Sequence, residues 1–186
     1  NIGLPVEKTA YVINQVCGSG LRSVAAGYQA IMSNDSNIVV AGGQESMSNA
    51  HHAINIRNGQ KLEESNLVDT MIKDGLWDAF NGYHMGITAE NVATKWQITR
   101  KDQDNFALSS QIKAEQAQKD GKFKNEIIPI TLKSKSGDLK FEVDEHARAG
   151  MTMEQLTKLS PSFKKNGTVT AGNASGINDG AAAVVL

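Results

Sequence analysis

Asn14-Gln15-Val16-Cys17-Gly18-Ser19-Gly20-Leu21 contains the one cysteine of the 186-residue chain. Just upstream, Tyr11, Val12, Ile13, Asn14, Gln15 and Val16 read as a strand. Downstream, Leu21, Val24, Ala25, Tyr28 and Ile31 recur at spacings of three and four, which predicts one face of a helix. Cys17 is therefore expected where a strand hands over to a helix. Gly18 and Gly20 would permit the sharp turn and a close approach of backbone to substrate. The helix start would set free N–H groups and the positive end of a dipole beside the sulfur. Such a field favours thiolate, the nucleophilic form. A lone cysteine is more often an inert core residue. A purely structural one has no need of the flanking Gly-Ser-Gly, and this favours the nucleophile.

Working outward, residues 10–43 read as strand, helix, strand. The second strand is Ile38 to Ala41, ended by Gly42-Gly43. Short apolar runs of this kind suit strands covered on both faces of a parallel sheet, with a right-handed crossover. Ala25, Ala26, Gly27 and Ala30 allow close packing, so the helix is expected to be buried. From Ser48 the chain turns polar and turn-rich. Ile54 and Ile56 alternate toward Asn58-Gly59, a strong hairpin dipeptide. Helices are expected over Met85 to Trp96 and Lys101 to Lys119, the second closed by Gly121. Ile127 to Lys133 and Leu139 to Val143 read as strands joined at Ser136-Gly137-Asp138. Thr152 caps a short helix over Met153 to Lys158, before Pro161. Ala182 to Leu186 reads as a returning strand. The expected division is residues 1–47 as part of an α/β domain bearing Cys17, 48–174 as an inserted α+β loop domain, and 175–186 as the return.

Composition narrows the function classes. Nineteen basic residues against 20 acidic ones leave a net charge of −1, with no basic stripe for nucleic acid or an anionic membrane. The apolar runs are too short to span a bilayer. A single cysteine forms no internal disulfide and suits a reducing compartment, so a cytoplasmic location is expected, with no signal peptide. Asn34-Asp35-Ser36, Asn166-Gly167-Thr168 and Asn173-Ala174-Ser175 match the glycosylation pattern and carry no weight in that compartment. His51, His52, His84 and His146 have no spacing that builds a metal site with Cys17, and no metal is expected. No Walker or Rossmann phosphate loop is present. Cys17-Gly18-Ser19-Gly20 departs from the papain-like string at Gly20 and Leu21.

Four strings together carry a family likeness. They are Ile13 to Leu21, Val39-Val40-Ala41-Gly42-Gly43-Gln44-Glu45-Ser46-Met47-Ser48, Gly82-Tyr83-His84-Met85-Gly86-Ile87-Thr88-Ala89-Glu90-Asn91, and Val169-Thr170-Ala171-Gly172-Asn173-Ala174-Ser175-Gly176-Ile177-Asn178-Asp179-Gly180-Ala181. In this order, and over essentially the whole chain, they resemble thiolases, most of all the bacterial acetoacetyl-CoA thiolases. The resemblance implies a layered α/β fold with an inserted loop domain. It implies an acyltransferase that joins two acetyl-CoA into acetoacetyl-CoA plus CoA, and reverses the reaction. A thiolase of longer 3-ketoacyl-CoA chains is the near alternative, and a non-catalytic CoA-binding fragment the distant one. No cofactor is implied, because coenzyme A thioesters are substrates.

The same resemblance implies roles residue by residue. Cys17 would attack the thioester carbonyl and carry the acyl group, with its own backbone N–H as an oxyanion donor. Ala171 and Ser175 would contact the pantetheine amides of CoA, against a competing reading of Ser175 as a cap for a helix or turn at Gly176 to Gly180. His84 and Met85 would line the pantetheine tunnel near its reactive end. His84 is given binding and not general-base duty, and Met85 would narrow the acyl pocket, against ordinary gap filling. Leu76 and Arg148 match positions that contact pantetheine and the nucleotide, although Arg148 reads equally as a solvated arginine. Gln155 stands where relatives often carry serine, which puts contacts there in doubt. The family's second half, with its activating histidine and second cysteine, has no counterpart among these residues, so the isolated chain is expected to be inactive. Residues Ser48 to Ile72 resemble the loop that joins two thiolase dimers, which implies a homotetramer.

Overall fold

Ser19–Met32 form α1, which starts directly after Gly18. It ends where Asn34 takes a left-handed φ of 60° and the Asp35 N–H reaches back to Ala30 O at 3.0 Å. Asparagine tolerates that conformation, so the helix stops there. The structure is a computed structural model and describes residues 3–57, 59 and 66–186.

Strand β1, Val40–Ser46, pairs antiparallel with β8, Asp179–Val185, from Val40↔Val185 to Ser46↔Asp179. Reciprocal bonds between Val39 and Leu186, at 3.1 and 2.9 Å, extend the ladder. Small residues bring α1 onto this pair. A Cβ on Gly27 would stand 2.8 Å from Leu186 Cδ1, and one on Gly43 would stand 3.3 Å from Gly20 Cα. Ser23 Oγ donates to Gly42 O at 2.8 Å and stitches helix to strand. Beyond the ladder, Ser48 donates its hydroxyl to Asp179 Oδ2 and its N–H to Asp179 Oδ1 at 3.0 Å. The Ser48 hydroxyl and then its amide hold the Asp179 carboxyl below the usual carboxylate range.

The structure differs from expectation at three points. Residues 11–16 form no ladder. Gln15 and Cys17 are marked only by an isolated bridge, and Val12 is 95% exposed. A β-prone run becomes a strand only when a neighbour takes its hydrogen bonds, and none does among the described residues. The sheet around β1 is antiparallel, because its partner arrives from the far end of the chain running the other way. Helix α1 is covered on one face only, by Gly27 with Ser23, while Leu21, Tyr28 and Met32 are exposed. Its inner face is set by its smallest side chains, which permit the closest approach.

Other elements follow local signals. Strands β2, His52–Ala53, and β3, Val68–Asp69, pair antiparallel. The turn expected at Asn58-Gly59 falls on residues of which Asn58 and 60–65 lie outside the described residues. A wide turn over Met71–Leu76 leads to β4, Trp77–Asp78, paired with β5, Tyr83–His84. Helix α2, Met85–Lys95, and helix α3, Arg100–Lys119, come next. The start of α3 is a capping box between Thr99 and Asp102, and Gly121 has a φ of 66°. Strands β6, Ile130–Leu132, and β7, Leu139–Phe141, form a hairpin, with Gly137 at a φ of 119°. Helix α4, Met153–Thr157, starts on a capping box between Thr152 and Gln155.

Packing divides the chain into two compact units, Asn1–Gly75 with Ile177–Leu186, and Leu76–Gly176. No helix among the described residues is long and apolar enough to cross a membrane.

Candidate active site

Cys17 is exposed at the tip of an elbow that leads into α1. Two neighbouring side chains build that elbow. Asn14 Oδ1 accepts the Val16 N–H at 2.9 Å. Ser19 Oγ accepts the Gln15 N–H at 2.8 Å and donates to Val16 O at 2.7 Å. Between them Val16 takes a φ of 49°, in the left-handed region. A β-branched residue is held there at a cost of about 1–3 kcal/mol. The expected turn glycine, Gly18, has an ordinary φ of −85°. The strain therefore sits on the residue before the cysteine, and Gly20 serves the close contact with Gly43 instead. Asn14 two residues before Val16 is an Asx-turn signal that the sequence did contain.

The other unit holds all six candidate ligand residues, Leu76, His84, Met85, Arg148, Ala171 and Ser175. Leu76 closes the wide turn and is half-buried. The β4–β5 turn is drawn tight by Asp78, whose carboxylate accepts from the Asn81 side chain at 2.7 Å and the Phe80 N–H at 2.9 Å. The Asn81 side chain, followed by the Asn81 amide, keeps the Asp78 carboxyl below its usual range. His84 caps α2: its Nδ1 accepts the Gly86 N–H at 2.9 Å. With Nδ1 accepting, the neutral ring carries its proton on Nε2, as a donor.

The His84 ring stacks on Phe163 with centroids 4.9 Å apart and planes at 23°. Gly86 makes this possible, since a Cβ there would stand only 2.2 Å from Phe163 Cγ. Phe163 in turn adjoins a short antiparallel contact, Pro161 against Thr170, with the Ser162 N–H on Val169 O at 2.9 Å. Leu76, His84, Met85 and the segment bearing Ala171 are thus linked through β4–β5 and Phe163. Ala171 and Ser175 are exposed, and the Ser175 hydroxyl has no partner among the described residues. No helix forms after it, since β8 begins at Asp179. Arg148 is exposed and lies on a segment strapped to α3. Its N–H reaches Gln111 Oε1, and the Gly150 N–H reaches Glu115 Oε2, each at 2.9 Å.

Two buried carboxylates, Glu90 and Asp104, lie outside the residues expected to bind ligand. Glu90 on α2 is 3% exposed. Its Oε1 accepts the N–H groups of Thr168 at 2.7 Å and Val169 at 2.8 Å, and its Oε2 accepts the Thr168 hydroxyl at 3.1 Å. Burial alone would raise this carboxyl. The bonds from Val169 and Thr168, with the charge of Lys164, outweigh burial and hold it below the ordinary glutamate value. Asp104 on α3 is fully buried between Arg100 Nε at 2.7 Å and Asn173 Nδ2 at 2.9 Å. A second guanidinium nitrogen of Arg100 binds Leu156 O at 2.7 Å and Leu159 O at 3.0 Å, which locks α4 to α3. Arg100 to Asp104 is a readable i, i+4 pair. Nothing local marks Glu90 as buried.

Comparison with known proteins places this arrangement. The family described as thiolase, N-terminal domain, matches residues 1–186. Acetyl-CoA acetyltransferase of Paracoccus denitrificans is 61% identical over 185 residues, covering 100% of this chain and 47% of that protein. The solved acetyl-CoA acetyltransferase from Syntrophomonas wolfei matches with a TM-score of 0.95 at 43% identity, over 98% of this chain and 46% of that one. Human mitochondrial 3-ketoacyl-CoA thiolase in complex with CoA matches with a TM-score of 0.93 at 45% identity, over 99% of this chain and 46% of that one. The fold is the α/β fold of thiolases, a family of acyltransferase enzymes. The chain belongs to that family and corresponds to its N-terminal domain. It spans about half the length of the curated relatives it matches.

Proposed function

We propose that the full-length protein is an acetyl-CoA C-acetyltransferase in which Cys17 carries the acyl group. The observation that supports it most is the exposed Cys17 at a side-chain-braced elbow before α1, in a chain 61% identical to an acetyl-CoA acetyltransferase. In the first step the Cys17 thiolate adds to the acetyl-CoA carbonyl and CoA leaves as thiolate. In the second, a base takes a methyl proton from another acetyl-CoA, and the carbanion attacks the acyl-cysteine. Acetoacetyl-CoA forms and the Cys17 thiolate is regenerated. The base and the histidine that activates Cys17 are expected outside these 186 residues. Leu76, His84, Met85, Arg148, Ala171 and Ser175 are proposed to receive CoA, with His84 offering Nε2–H to a carbonyl. No cofactor is needed, and the proposed setting is the cytoplasm.

A second reading is a thiolase of longer chains, since the likeness to a human 3-ketoacyl-CoA thiolase does not separate it from the first. Thiolysis by the full-length protein separates the two. Acetoacetyl-CoA is expected to exceed a ten-carbon 3-ketoacyl-CoA in kcat/KM by about tenfold or more, the scale of discrimination an apolar pocket supplies. Equal rates favour the second reading, and no thiolysis of either sinks both.

The proposed assembly is a homotetramer joined through residues 48–72. Ile54 and Ile56 are 40% and 58% exposed here, and a two-stranded hairpin is marginal alone. Deleting residues 54–62 from the full-length protein is expected to yield dimers on sedimentation, with Cys17 still acylated. An unchanged tetramer refutes the assignment.

A further inference from the structure

Between Thr168 and Asn173 every backbone N–H but one has a partner among the described residues. Glu90 holds the amides of Thr168 and Val169. Asn173 Oδ1 accepts the Thr170 N–H at 2.8 Å, and Thr170 Oγ1 accepts the Gly172 N–H at 3.2 Å. The Asn173 N–H reaches Thr170 O at 3.3 Å. Gly172 and Asn173 leave only their C=O groups without a partner among the described residues, whereas Ala171, which is exposed, leaves both groups. One residue with both groups open offers an amide the same donor and acceptor that a neighbouring strand would offer. The pantetheine arm of CoA carries two amides.

The Asn173 side chain has one orientation available. Its Nδ2 faces two acceptors only, Asp104 Oδ1 at 2.9 Å and Thr168 O at 3.1 Å, so the oxygen must face the Thr170 N–H. Asp104, fully buried and paired with Arg100, anchors that choice from α3. We propose that Asn173, oriented by Asp104, is a positioning residue that folds residues 168–173 so that the Ala171 peptide groups face a pantetheine amide. The proposal rests on the CoA-thioester reading above. Asn173 itself does not touch the ligand.

The test uses the full-length protein and free CoA in a calorimetric titration, with steady-state thiolysis and the rate of Cys17 alkylation by iodoacetamide as companions. Asn173→Ala is expected to weaken CoA binding and raise KM by about tenfold, with kcat and alkylation within about twofold of wild type. Thr170→Val keeps the shape of a fully buried residue but removes the acceptor of the Gly172 N–H. It is expected to weaken CoA binding by about threefold, and Thr170→Ser to restore it. If Asn173→Ala does not fold, the Thr170 pair decides the matter alone. Wild-type CoA affinity in Asn173→Ala or in Thr170→Val overturns the proposal and leaves the function standing. Loss of alkylation in step with CoA binding also overturns it, since the effect is then general. A wild-type protein that binds no CoA overturns both.

Discussion

Replacing Cys17 by alanine in the full-length protein is expected to abolish transfer of a labelled acetyl group from acetyl-CoA to the polypeptide. Thiolysis should fall by about 10⁴-fold or more, the scale at which removal of a covalent nucleophile is felt. The effect should be chemical and not structural. Cys17 is exposed, and the elbow that presents it is braced by Asn14 and Ser19, neither of which uses the sulfur. The thermal midpoint of Cys17→Ala should therefore stay within about 1–2 °C of wild type, as for a surface substitution. Cys17→Ser should also be severely impaired, because a serine hydroxyl is far less acidic and far less nucleophilic than a cysteine thiol beside the same activating group. Peptide mapping after a brief pulse with labelled acetyl-CoA checks the claim. Label on the wild-type peptide containing Cys17, and none on the same peptide of Cys17→Ala, is the expected result. Label placed on any other residue of the wild-type protein would mean that Cys17 is not the acyl carrier.

The second large effect is on stability, at Glu90. Glu90→Ala removes the acceptor of two backbone N–H groups and one hydroxyl at a site 3% exposed. Stranding buried donors is costly, and the expected loss is about 3–5 kcal/mol. That is a large share of the roughly 5–15 kcal/mol that keeps a domain folded. Glu90→Gln should cost less, about 1–2 kcal/mol. It keeps an oxygen for both amides but leaves the Thr168 hydroxyl proton without its acceptor and Lys164 without its opposite charge. Denaturant melts of the two variants give the comparison, and a Glu90→Ala midpoint equal to wild type would refute the buried clamp.

The pH dependence follows with a definite sign. The Glu90 carboxyl lies below its ordinary value in the folded chain. Its contribution is therefore fully present above the unfolded glutamate value and is lost as pH falls through the lower folded value. Glu90→Gln should flatten that part of the acid limb. A limb as steep in the variant as in wild type would assign acid sensitivity to other carboxylates.

The two effects differ in how far the sequence foretold them. The helix that follows Cys17 was legible because its signals are local: flanking glycines and a helical period within 15 residues. Local signals likewise placed α2, α3, the β6–β7 hairpin and the Thr152 cap, whose observed bounds agree with expectation to within a few residues. Caps, positive-φ glycines and periodicity act within a few positions, so the chain states them directly.

What the sequence by itself determined is this set of local elements, together with the family membership carried by its four long motifs. Tertiary structure decided the rest. The direction of the β1 ladder was settled by β8, which begins 139 residues after the start of β1, from residue 40 to residue 179. Glu90 reads as an ordinary polar residue on a helix until the amides of Thr168 and Val169, 78 and 79 positions away, are folded onto it. Each of these depends on a partner that only closure of the chain brings within hydrogen-bond range, and such a partner leaves no mark in local propensity.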